Sequence, residues 1–151
     1  MLKLIIPPPI YAIIFAISMW VLDRYFPLLQ MIPDAYEKIG FVPMTIALFI
    51  DFWALSLFFR SRTSPNPMKP EKASELVTAG LYGFSRNPMY FALLLLLTGW
   101  AINLGSLSPF LLLPLFVLIL TSQQIISEEQ VLEEKFGQVY LDYKQKVRRW
   151  I

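Results

Sequence analysis

Two clusters of residues could do chemistry, and an apolar run separates them. The first is Arg86-Asn87-Pro88-Met89-Tyr90, at the foot of the run Phe91 to Trp100; the second is Glu128-Glu129, which closes the next apolar run. A two-residue loop, Gly105-Ser106, lets the two runs fold as a hairpin, so that a guanidinium, an amide and two carboxylates meet at one end. Pro88 suits the first position of a helix and Asn87 the N-cap before it. Free N–H groups and the helix dipole there, beside Arg86, make a place for an anionic group of a ligand. Lipid headgroup anchoring is the plain alternative for Arg86. A carboxylate at Glu128 or Glu129 could accept both hydroxyls of a ribose or face a cationic centre. If the helix runs on to Lys135, the pair is expected to be a solvated face.

The elements that must position these residues are apolar throughout. Over 151 residues the chain is 56% hydrophobic and 16% charged, with a mean hydropathy of +0.55, which fits one polytopic membrane domain better than a soluble one. Cysteine and histidine are absent. That excludes disulfides, thiol nucleophiles and thiolate metal sites, removes the commonest general base, and leaves no expectation of a metal. A net charge of +2, segregated by loop, gives no nucleic-acid-binding face.

Four segments can cross a hydrocarbon core of about 30 Å, for which roughly 17 to 25 residues are needed. They run from about Pro9 to Leu22 or Phe26, Phe41 to Phe59, Met89 to Leu104, and Leu107 to Ile126, the last with a kink at Pro114. The apolar stretch after Lys3 reads as a retained helix, since no small-residue cleavage site follows it and Asp23-Arg24 closes it. Lys3, Arg60, Arg62, Lys69, Lys72, Arg86, Lys135, Lys144, Lys146, Arg148 and Arg149 fall on one side, against Arg24 and Lys38 on the other. Both termini and the middle loop are therefore expected in the cytosol. Thr63 to Pro70, with three prolines, should be extended. In the tail, Leu132, Phe136, Tyr140, Tyr143 and Val147 form a helical apolar stripe interrupted at Gly137, read as two short amphipathic helices.

Asp51 falls at the middle of the second span, where a carboxylate costs roughly 2.5 to 3.5 kcal/mol on insertion scales. It should face the bundle, either sharing a hydrogen bond with Thr98 or lining an acceptor pocket reached from the lipid. The remaining aromatics, among them Trp20, Trp53, Trp100, Tyr82 and Trp150, read as belt or packing residues.

Leu76 through Tyr90, followed by Glu128-Glu129, Leu132, Phe136-Gly137, Tyr140, Tyr143, Val147 and Arg149-Trp150, resembles the isoprenylcysteine carboxyl methyltransferase and phospholipid methyltransferase superfamily over about residues 41–151. The resemblance implies an all-α integral membrane enzyme that binds S-adenosylmethionine at the cytosolic ends of its last helices and methylates a lipophilic or membrane-associated acceptor: a carboxylate, an amine or another heteroatom. The family's Arg-His-Pro-x-Tyr block falls on Arg86, Asn87, Pro88 and Tyr90, and its double glutamate on Glu128 and Glu129, all cofactor-binding by that resemblance. Its closing Val-Pro-Arg-Trp pattern falls on Val147 to Trp150. Asn87 replaces a histidine and Arg148 a proline.

On this reading Arg86 and the helix end hold the methionine carboxylate, Glu128 or Glu129 takes the ribose or amino group, and Tyr90 stacks on adenine or faces the sulfonium. Arg86, Asn87 and Asp51 are the candidates for a catalytic part. A sulfonium carries its own leaving group, so alignment and exclusion of water suffice without Cys or His. An NADPH-dependent membrane lipid reductase, whose Arg-x-Pro-x-Tyr block is similar, and a non-catalytic membrane scaffold are the alternatives.

Overall fold

A computed structural model describes residues 6–61 and 75–151; the expected extended stretch Thr63 to Pro70 and the basic residues Lys3, Arg62, Lys69 and Lys72 lie outside them. The described chain is all helical. Helix α1 spans Pro8–Tyr25, and α2 spans Phe41–Arg60 after a 3-10 segment, Asp34–Gly40, that the sequence reading did not anticipate. A short 3-10 turn, Gly80–Gly83, precedes α3, Pro88–Leu104. Helix α4 is a broken run, Leu107–Phe136, and α5 spans Gln138–Lys146.

Among the described residues two stretches, Asp34–Arg60 and Leu107–Phe136, are long and apolar enough to cross a membrane, and Pro88–Leu104 is apolar but shorter. On α2 only Ala47 and Ala54 are buried, while Phe49 and Phe52 are each 72% exposed. An apolar face of that extent belongs against lipid or another protein.

The core lies where α1, α3 and α4 meet, with Phe15 and Met19, Tyr90 and Leu97, and Phe116, Leu120 and Ile125 packed together. Phe15 and Phe116 meet edge to face at 5.2 Å. Trp100 packs, partly buried, against the same core, and its Nε1 donates to the Ala16 carbonyl at 3.0 Å. Against α3 on the other side packs α2, through a close backbone approach: a Cβ on Gly99 would stand 2.4 Å from the Gly40 carbonyl oxygen.

At one end of the bundle the hairpin between α3 and α4 is locked. Gly105 takes the left-handed conformation that ends α3, φ 86°, as glycine does at low cost. Its carbonyl accepts from Met31 and Ile32, both at 2.9 Å, and Ser106 donates to Asp23 at 2.6 Å. This latch fixes the register with which the opposite ends of α3 and α4 come together.

Helix α4 breaks at Leu111, between Leu107–Phe110 and Leu112–Leu120. Pro114 cannot donate to the carbonyl four residues back and its ring crowds it, which places the break one turn upstream of the proline. Then comes a π turn, Thr121–Ile125, before a regular stretch, Ile126–Phe136. The fourth helix thus continues ten residues past the expected Ile126, and the first of the two expected tail helices is its extension. Gly137, at φ 54°, separates it from α5.

Candidate functional site

At the end of the bundle away from the latch, the residues singled out in the sequence line one cavity of about 690 Å³, together with Asp51, Phe52 and Leu55 from α2 and Tyr140 and Tyr143 from α5. Its volume falls in the range of small-molecule sites. Arg86, Asn87, Tyr90, Glu128 and Glu129 all stand in its wall, and Pro88 is buried at the first position of α3.

Glu129 is held by two arginines. Arg86 Nη2 lies 3.2 Å from Oε1, with side chains 8% and 7% exposed; Arg149 donates from Nε to Oε1 at 2.9 Å and from Nη2 to Oε2 at 2.8 Å. A buried carboxylate is tolerable only when paired this way, and the bidentate fork of Arg149 is the stronger contact. Hydrogen bonding to Glu129 raises the Arg149 pKa above its already high value, so the guanidinium stays charged. Arg86 is incompletely used: its Nε and Nη1 are buried and have no hydrogen-bond partner among the described residues, while the Tyr140 hydroxyl lies close enough to interact with the guanidinium.

Glu128 is bonded differently. The Tyr90 hydroxyl donates to its Oε1, and so does Gln124 Nε2 at 2.8 Å. Both donors meet one oxygen, so Oε2 takes part in neither bond. The expectation that a continued helix would leave Glu128 and Glu129 as a solvated face is corrected here. The helix does continue, and the π turn rotates this segment so that Glu129 is buried and Glu128 faces Tyr90; π turns of this kind often accompany functional positions.

Asn87 occupies the N-cap position, yet its side chain makes no capping bond. Its Nδ2 instead donates to the Arg149 carbonyl at 2.9 Å. The same strap of C-terminal residues pairs with the chain before α3: Arg86 N donates to the Arg148 carbonyl at 2.9 Å, and Ser85 Oγ donates to that of Arg149 at 3.4 Å. Trp150 Nε1 reaches Thr121 Oγ1 in the π turn at 3.2 Å. Arg148, Arg149 and Trp150 thereby tie the start of α3 to the bent part of α4.

Under the cavity, Tyr143 donates to the Tyr82 carbonyl at 2.6 Å, and Tyr140, Tyr143 and Val147 pack with Leu132 and Phe136. The tail stripe is thus the seam that joins α5 to α4. Burial, with the nearby Glu129 charge, pushes the Tyr140 hydroxyl up to about 12, and burial raises Tyr143 and Tyr82 as well. All three remain neutral hydroxyls across the physiological range.

Asp51 stands in the cavity wall and has no hydrogen bond among the described residues. Thr98 is not its partner; that hydroxyl donates to the Leu94 carbonyl at 2.8 Å. Sequence reasoning gave no role to Gln124, although its spacing of four from Glu128 was a usable signal. The clamp by Arg149 had no local signal, because twenty residues separate it from Glu129.

An apolar helical protein with a charged cavity at the end of its last long helices is the class of molecule that this fold and site define. The phospholipid methyltransferase family matches residues 38–139, more than half of the chain, and the protein belongs to that family. It is 35% identical over 79 residues to the protein-S-isoprenylcysteine O-methyltransferase of Schizosaccharomyces pombe, a match that takes in 52% of this chain and 34% of that enzyme. Over 63 residues it is 48% identical to an uncharacterised protein of Haemophilus influenzae, the whole of that protein and 42% of this chain. No solved structure matches. These similarities point to a methyltransferase of the phospholipid and isoprenylcysteine kind.

Proposed function

We propose that the protein is an integral membrane methyltransferase that binds S-adenosylmethionine in the 690 Å³ cavity and methylates a lipophilic or membrane-associated acceptor. The observation that carries this reading is the separation of charge along one cavity wall. Among the described residues, two nitrogens of Arg86 have no hydrogen-bond partner and offer donors to a carboxylate, and Glu128, whose Oε2 takes part in neither of its two bonds, offers an acceptor to an ammonium or to ribose hydroxyls. That arrangement fits a zwitterionic donor. Glu129, engaged on both oxygens by arginines, acts as the brace that holds Arg86 in place and not as a ligand itself.

When bound, S-adenosylmethionine would supply a methyl group on a positively charged sulfur. The chain's own residues then orient, neutralise and exclude water. Tyr90 fixes the Glu128 carboxylate, Asn87 anchors the C-terminal strap over the start of α3, and the apolar wall of Phe52, Leu55 and Leu93 keeps the reaction dry. Four membrane spans, with both termini and the cavity on the cytosolic side, complete the reading. The helices α1, α2, α3 and the first part of α4 supply the spans, and the basic residues Arg60, Arg86, Lys135, Lys144, Lys146, Arg148 and Arg149 cluster at the cavity end.

Isothermal titration with S-adenosylhomocysteine tests the site. Arg86→Ala and Glu128→Ala should each weaken binding about tenfold or more, the usual worth of a hydrogen bond to a charged group. Wild-type affinity in both variants would remove it.

A further inference from the structure

One carboxylate in the cavity wall has no part in holding the donor. Asp51 lies on α2, in a stretch of the wall that also presents Leu48, Phe52 and Leu55. Its depth follows from packing. Ala54, Leu57 and Phe58 of α2 form one layer with Tyr82 and Met89, and α2 runs toward the charged end, so Asp51 stands about one turn further into the bundle than that layer, roughly 4.5 Å at the helical rise. It still belongs to the same site. Burial first, then Tyr143 and the Asp51 charge, raise the Tyr82 hydroxyl, and the Glu128 charge acts on that hydroxyl too.

Asp51 makes no hydrogen bond or ion pair among the described residues. An unpaired carboxylate in an apolar wall is costly, and within a membrane segment such a residue marks a site of function by default. The other acids of the wall are engaged or at its edge: Glu129 is held by two arginines, Glu128 takes the Tyr90 and Gln124 donors, and Glu75 is exposed. The chain has no histidine or cysteine to serve as a base. Arg86 is the cation of the wall among the described residues, and it is braced by Glu129. An acceptor carboxylate beside Asp51 would therefore set two anions together in an apolar place, where like charges repel most.

We propose that Asp51 is the catalytic proton acceptor of the methyl transfer, and that the reacting heteroatom of the acceptor carries a proton and is not a carboxylate oxygen. The proposal rests on the methyltransferase reading. The acceptor's X–H bond breaks as its proton passes to an Asp51 oxygen, the electron pair on X forms the new X–C bond to the methyl group, and the pair of the broken C–S bond stays on sulfur. Asp51 then returns its proton to water at the cavity mouth. Over neutral pH the ionisable groups that share the cavity with Asp51 are Glu75, Arg86, Glu128 and Glu129, the wall tyrosines being neutral there, and α1 contributes only prolines.

Methyl transfer from labelled donor to native lipid extract, followed by treatment with alkali, reads the acceptor directly. The label should not come off as volatile methanol, which an ester methyl releases in base and a methyl on nitrogen, sulfur or an alcohol oxygen does not. Asp51→Asn should transfer about a hundredfold more slowly or worse, the usual contribution of a positioned base, with S-adenosylhomocysteine affinity within about twofold of wild type and a thermal midpoint no lower. Its residual rate should keep rising with pH where the wild-type rate has levelled off, and Asp51→Glu should recover part of the loss. Label released as methanol from the wild-type product, or Asp51→Asn at the wild-type rate, would overturn the proposal and leave a methyltransferase. Loss of S-adenosylhomocysteine affinity together with a lower midpoint in Asp51→Asn would overturn it as well, by making the residue structural. Wild-type protein that neither binds S-adenosylhomocysteine nor transfers label would remove the methyltransferase reading and this proposal together.

Discussion

Glu129 is the residue on which the charged wall depends most. With both oxygens taken by guanidinium groups, its removal leaves two cations facing each other in a buried place, and breaking such a pair costs about 3–5 kcal/mol. Glu129→Ala should therefore lower the thermal midpoint in detergent as well as donor affinity. Glu128→Ala should lower affinity with a much smaller change in midpoint, because only Tyr90 and Gln124 lose a partner. Equal midpoints for the two variants would contradict this division of labour. Asp51 behaves in the opposite way. Its side chain is half-buried in the cavity wall and without a hydrogen bond among the described residues, so Asp51→Asn is expected to keep or raise the thermal midpoint while reducing methyl transfer. A midpoint that falls by several degrees would show the aspartate to be structural.

Among elements, α3 carries the heaviest constraint, since it touches α1, α2 and α4 at once. A methyl group at Gly99 would collide with the Gly40 backbone at 2.4 Å, so Gly99→Ala should destabilise by about 1–3 kcal/mol, the usual cost of overpacking. Thermal unfolding in detergent measures it. The strap from Arg148 to Ile151 makes a separate prediction. Deleting these four residues removes the Arg149 clamp and the bond to Asn87, and the donor should bind about tenfold more weakly or worse while the α1–α3–α4 core stays folded, as circular dichroism would report.

These same elements show what the sequence made legible. The bounds of α2 and α3 were readable within a residue or two because Pro88, Gly105 and Arg60 punctuate long apolar runs; the end of α1 was readable only as Leu22 or Phe26, and Asp23-Arg24 does not close the helix, which runs through them to Tyr25. The meeting of Arg86 with the glutamates followed from the tight turn at Gly105-Ser106. The π turn at Thr121–Ile125 left no mark in composition, and it is what turned Glu129 inward. Nor did periodicity foresee the strap, whose contacts with the start of α3 join residues more than sixty positions apart. Long-range pairing of that kind is set by tertiary packing and has no local signature.

For the whole molecule, the distribution of charge and of apolar surface belongs together. One end holds the latch between Gly105 and the 26–33 segment, the other holds every arginine and glutamate of the cavity, and the flanks are apolar. The central claim is that this charged end transfers a methyl group to a lipid lying beside it. The most direct test is to incubate the purified protein with native lipid extract and methyl-labelled S-adenosylmethionine and to follow the label. Label should appear in the lipid fraction with wild-type protein and be lost with Arg86→Ala and Glu128→Ala. A lipid fraction that stays unlabelled with wild-type protein shown to bind the donor, or labelling equal in all three proteins, would contradict it.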